Sequence, residues 1–81
     1  MILPLTKLKS GQKGTVTEIL GGQEAKSRLE SMGIRIGKKI TKINSMFMRG
    51  PITVQVGQTQ IGIGYGMAAK VMVDLPSGRQ G

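Results

Sequence analysis

Eighty-one residues leave room for one domain, because two cores of half this size would each bury too little apolar surface to offset chain entropy. Twelve Lys and Arg against four Asp and Glu give a formal charge of +8, a field that attracts acidic proteins, anionic lipid or nucleic acid. Cysteine and histidine are both absent, which removes disulfides, thiolate and imidazole ligands and the commonest general base, and with them most metal-binding and triad chemistry.

The apolar residues are mainly Ile, Val, Leu and Met, with Phe47 and Tyr65 the only aromatics, so the core is expected to be aliphatic and small. Thirteen glycines are about twice the usual share of roughly 7% and favour short strands joined by turns and bulges. The first nine residues show neither a charged leader nor an apolar run of signal-peptide length. No apolar stretch nears the roughly 20 residues that cross a bilayer, so the chain reads as cytoplasmic.

In chain order, Leu3, Leu5 and Leu8 form a leader able to pack down, and Ser10-Gly11 and Gly14 punctuate it as turn positions. Residues 15–20 read as a first strand in which Val16 and Ile19, three apart, require a bulge or bend to share a face. Gly21-Gly22 ends it. Residues 23–32 then carry Ala25, Leu29 and Met32 at i, i+4 and i+7, the spacing of one helix face, with Glu24–Arg28 and Lys26–Glu30 as i, i+4 charge pairs. Gly33 stands at the left-handed C′ position, and Ile34 can reach back to Leu29 as a Schellman ending requires.

After a turn at Gly37, residues 38–45 repeat the three-residue spacing in Ile40 and Ile43, which predicts a second bent strand. Gly50-Pro51 signals a turn. Ile52-Thr53-Val54-Gln55-Val56 alternates cleanly, Gly57-Gln58 suits a two-residue hairpin turn, and Ile61 and Ile63 lie on the return strand. Residues 67–70 suit one helical turn, and Val71 and Val73 share a face of the last strand. This order predicts an all-β domain with small helical insertions over residues 1–75: an SH3-like five-stranded barrel, one helix inserted after the first strand, and a helical turn before the last. Residues 76–81 read as a disordered tail.

No catalytic or cofactor site is visible. Glu18, Glu24, Glu30 and Asp74 are scattered over different elements, and Gly62, Gly64 and Gly66 precede no GK[ST] sequence and so form no phosphate loop. Met46 and Met48 lack the imidazole or thiolate that would complete a metal site. The candidate surfaces are instead for docking. Arg28, Leu29 and Met32 lie on the helix, where a partly open cleft would receive an apolar side chain with an acidic neighbour. Met46, Phe47, Met48 and Arg49 form an apolar, adaptable segment of the kind that fits irregular partners.

Several motifs, taken together, resemble a known family: Leu5-x-x-Leu8-x-x-Gly11-x-x-Gly14-x-Val16-x-x-Ile19, then Arg28-Leu29-x-x-Met32-Gly33-Ile34-x-x-Gly37, then Gly50-Pro51-Ile52, and Ala68. The chain is similar in these positions to FeoA, ferrous iron transport protein A. That resemblance implies an SH3-like barrel and a non-enzymatic, cytoplasmic role, peripheral at the inner membrane, assisting the ferrous iron permease FeoB. It also implies kinship with the carboxy-terminal domains of metal-dependent repressors, whose DNA-binding helix-turn-helix this chain lacks. Two other readings remain open from the residues alone. One is a basic barrel that binds nucleic acid, against which the scarcity of stacking aromatics argues. The other is a homo-oligomer joined through strand edges or the Met46 to Met48 segment.

Overall fold

The alternation Ile52-Thr53-Val54-Gln55-Val56 becomes a strand whose Ile52 and Val54 are fully buried while Thr53 and Gln55 keep partial contact with solvent. Gly57, at φ +63°, supplies the positive dihedral that a two-residue hairpin turn needs, and Val56 faces Thr59 across it. The computed structural model describes residues 1–45 and 50–76. Its elements are β1 (Ile2–Pro4), a single 3-10 turn (Leu5–Lys7), β2 (Lys13–Ile19), α1 (Gly22–Ser31), β3 (Lys39–Ser45), β4 (Ile52–Val56), β5 (Thr59–Ile63), α2 (Tyr65–Ala68) and β6 (Val71–Asp74).

The six strands form one sheet in the order β1-β6-β2-β3-β4-β5, every neighbour antiparallel. The leader supplies the sixth strand, so α1 follows the second strand in the chain and not the first. Only three residues of β1 pair with β6, and Pro4 ends the run, which is why the segment carries little strand signature. Both bends expected from the three-residue spacing are present. The β2–β6 register slips between Val16 and Glu18, and the β3–β4 register slips between Lys42 and Asn44. Each slip accommodates one extra residue, Thr17 and Ile43 respectively, and each bulge tightens the local twist that curls the sheet.

The curled sheet encloses an aliphatic core in which Leu5, Val16, Leu29, Ile34, Ile40, Val54 and Val73 all have 0–1% exposure. α1 is held at its end by a full Schellman motif. Gly33, at φ +94°, donates its N–H to Glu30 O at 2.9 Å, and Ile34 donates to Leu29 O at 3.0 Å, with the Ile34 and Leu29 side chains both in the core. The expected i, i+4 ion pairs are not formed: among the described residues no salt bridge joins Glu24 to Arg28 or Lys26 to Glu30. Glu24 and Arg28 are solvent-exposed and Lys26 and Glu30 half-buried, and near the surface an attraction of a few tenths of a kcal/mol scarcely offsets side-chain entropy.

Gly14 is not a turn residue. It lies inside β2, and a Cβ there would stand 2.5 Å from Val73 Cγ1 and 2.6 Å from the Asp74 carbonyl oxygen, so its role is to let β6 approach. Gly37, at φ +93°, is the turn expected. Gly50 and Pro51 immediately precede β4. Of the expected tail, Pro76 is exposed, and residues 77–81 lie outside the described residues.

Candidate functional site

Between α1 and α2 the surface opens into a cleft of about 220 Å³ lined by Gly21, Glu24, Ala25, Arg28, Met67 and Lys70. On α1 these follow from helical spacing: Glu24 and Arg28 are four apart on the exposed side, while Ala25 turns inward as the small floor. The opposite wall comes from the segment after β5, where Ala68 and Ala69 donate their N–H groups to the carbonyls of Gly64 and Tyr65. That single helical turn brings Met67 and then Lys70 toward α1. Leu20 N–H donates to Lys70 O at 2.7 Å and joins the two walls.

Gly21 permits this junction. A Cβ at that position would meet Lys70 Cδ at 2.9 Å and Ala25 Cβ at 3.2 Å, and φ is +93°. The Lys70 stem therefore lies across bare backbone, and its ammonium and the Arg28 guanidinium belong to one cleft with Glu24. Two cations to one anion, around an apolar floor of Ala25 and Met67, suit a partner segment that carries an apolar side chain beside a carboxylate.

Of the candidate docking residues, Arg28 is exposed in this cleft. Leu29 is not available to a partner: it is 0% exposed and packs in the core beneath the cleft. The i, i+4 pattern that marks an apolar helix face is the same for a core face and a docking face, and here α1 turns Leu29 fully into the core while Ala25 borders the cleft. Met32 is half-buried against the core at the C-cap. Met46, Phe47, Met48 and Arg49 lie outside the described residues. Ala25, Met67 and Lys70 were not anticipated, because a contact between segments some forty residues apart leaves no local mark.

A second missed residue is Lys42, on β3, which is 4% exposed. Its Nζ donates to Leu8 O at 2.6 Å and to Thr6 O at 3.2 Å, which caps the 3-10 turn with a cation at its carbonyl end. Its main chain is also engaged, donating to Gln12 O and accepting from Gly11 N–H. Burial pushes the Lys42 ammonium below its ordinary pKa, since desolvation disfavours the charged form. The signal in the sequence was Lys42 sharing a face with Ile40 at i, i+2.

Among the described residues no group of three or more Asp, Glu, His or Cys gathers in a way that could hold a metal ion, and no helix is long and apolar enough to cross a membrane. A second cleft, of about 230 Å³, lies where β2, β3 and β6 meet and includes Lys13, Lys39 and Asp74.

The FeoA domain matches residues 3–75. The chain belongs to the FeoA domain family. Members of that family are non-enzymatic accessory proteins of ferrous iron transport. An Fe(2+) transport protein A homologue of Methanocaldococcus jannaschii is 39% identical over 71 residues, covering 88% of this chain and 84% of the relative. A crystal structure of an iron uptake regulatory protein (FeoA) superposes with a TM-score of 0.84 at 43% identity, covering 91% of this chain and 96% of that one. A manganese-dependent transcriptional repressor shares the fold alone, with a TM-score of 0.84 at 20% identity; 93% of this chain matches 42% of the repressor. The SH3-like fold expected from the sequence is thus the fold observed.

Proposed function

We propose that this protein is a cytoplasmic accessory of the ferrous iron permease FeoB and that it engages the permease through the cleft between α1 and α2. The observation that supports this surface is the placement of Arg28 and Lys70 around the apolar floor of Ala25 and Met67. Family membership supports the partner. The net charge of +8 steers the protein toward an acidic cytosolic face and holds it near the anionic inner leaflet.

Binding to purified FeoB in nanodiscs, at about 0.15 M salt where the screening length is near 8 Å, tests the reading. Exchanging both cations, Arg28→Glu with Lys70→Glu, is expected to weaken saturable binding at least tenfold while leaving the circular dichroism spectrum unchanged. Undiminished binding by this folded variant would move the interface elsewhere. Binding to single-stranded RNA, with none to the permease, would overturn the functional reading and favour the nucleic-acid alternative.

A further inference from the structure

All sixteen charged side chains lie outside residues 50–69. That uncharged stretch spans β4, β5 and α2, so the two strands at this end of the sheet carry no charged side chain of their own to repel a second copy, in a chain of net charge +8. β5 stands at the end of the sheet order and pairs only with β4 among the described strands. Edge strands are usually protected from pairing by Lys, Pro, bulges or a covering element. β5, of sequence Thr-Gln-Ile-Gly-Ile, has none of these residues, and its register with β4 is unbroken. The other edge, β1, contains Pro4, which has no N–H to offer.

The groups left unpaired can be named. The two-residue turn makes Val56 and Thr59 the closing hydrogen-bonded pair, and strict alternation commits the main chain of Ile61 and Ile63 to β4. The N–H and C=O of Gln60 and Gly62 therefore point to the open edge. We propose that β5 pairs with β5 of a second copy, antiparallel about a twofold axis at Ile61, joining the two sheets into one.

In that register Gln60 of each copy faces Gly62 of the other, and each of these two pairs exchanges two hydrogen bonds. Ile61 opposes its own mate. It is partly buried against the core in the single copy, and its remaining exposed surface is covered by the second. A second copy is the favoured occupant because β4 and β5 carry no charged side chain to repel the same strands of a twin, while an acidic partner meets no cation on either strand.

Sedimentation velocity from micromolar concentration to about 1 mM tests the pairing. The expected result is a monomer–dimer equilibrium that strengthens when salt is raised from about 0.05 to 0.5 M, as like-charge repulsion is screened. Binding to an acidic partner would weaken over the same range. Gly62→Lys protects the edge: Gly62 does not use a positive φ, and a Cβ there meets no atom within 4 Å. This substitution is expected to raise the dimer dissociation constant at least tenfold with an unchanged circular dichroism spectrum.

Amide exchange on the unmodified protein provides an independent reading should the variant misfold. Protection at Gln60 and Gly62 is expected to grow with protein concentration, while Ile61 is protected throughout. A monomer at every concentration, a dimer indifferent to the added lysine, or growth beyond two copies by addition of β5 to β1 would each overturn the twofold pairing.

Discussion

Replacing Lys42 by methionine keeps the aliphatic length of the side chain and removes the two hydrogen bonds to Leu8 O and Thr6 O. Two opposing effects follow. Hydrogen bonds from a charged donor contribute roughly 1.5–3 kcal/mol each, and an acceptor left dry costs about 1–3 kcal/mol. Against this, the variant no longer carries an ammonium out of water. Replacing a whole buried polar group set by apolar residues is often neutral, but here the two carbonyls belong to the main chain and stay behind. Leu8 is 3% exposed, so its carbonyl has little access to water as a substitute.

The balance is a loss of about 2 kcal/mol at pH 7, which for a domain of this size lowers the melting temperature by roughly 8–16 °C. The sign of the pH dependence follows from linkage. Because the folded pKa lies below the ordinary lysine value of about 10.4, the unfolded chain binds more protons between the two, and stability rises with pH across that window. The advantage of the unmodified protein over Lys42→Met is therefore expected to be smallest at neutral pH and to grow as pH climbs toward 10. Urea titrations of both proteins at a series of pH values read this directly. A variant as stable as the unmodified protein at pH 7, or an advantage that shrinks with rising pH, would refute the reasoning.

Gly14→Ala is expected to destabilise by about 1–3 kcal/mol through overpacking, since its Cβ would meet Val73 Cγ1 and the Asp74 carbonyl; chemical denaturation measures it. Leu29→Ala should cost about 2–5 kcal/mol and lower permease binding only in proportion to the unfolded fraction. The Arg28→Glu and Lys70→Glu pair should show the reverse, lost binding with an unchanged melting point. Gly33→Ala forces an alanine into the left-handed region at a cost of about 1–2 kcal/mol, read as a lower melting temperature with the native spectrum retained.

What could be read from the sequence was what is decided within a few residues. The Schellman ending rests on Gly33 and Ile34, the hairpin on Gly57, and the bends on Val16–Ile19 and Ile40–Ile43; each needs only a local conformation that those residues favour. What escaped depends on elements distant in sequence. Gly14 is explained by β6, some sixty residues away, and looked like a turn because glycine near a strand start usually is one. Lys42 is drawn inward only by the carbonyls of Thr6 and Leu8, more than thirty residues away in the leader. Leu29 was given a half-open position because helical periodicity reveals a face without revealing its covering. The cleft was half legible: Arg28 came from its own helix, and Met67 and Lys70 entered only when α2 was set against α1.

The pairing of β1 with β6 puts Ile2 opposite Asp74, so the polypeptide enters and leaves this domain side by side. A unit whose two ends meet in this way can be spliced into, or appended to, another polypeptide without stretching its host. The presence of the same architecture within 42% of a manganese-dependent repressor fits that portability. The geometry of two adjacent strands thus makes the domain a transferable part, free to be carried by larger proteins whose tasks differ from its own.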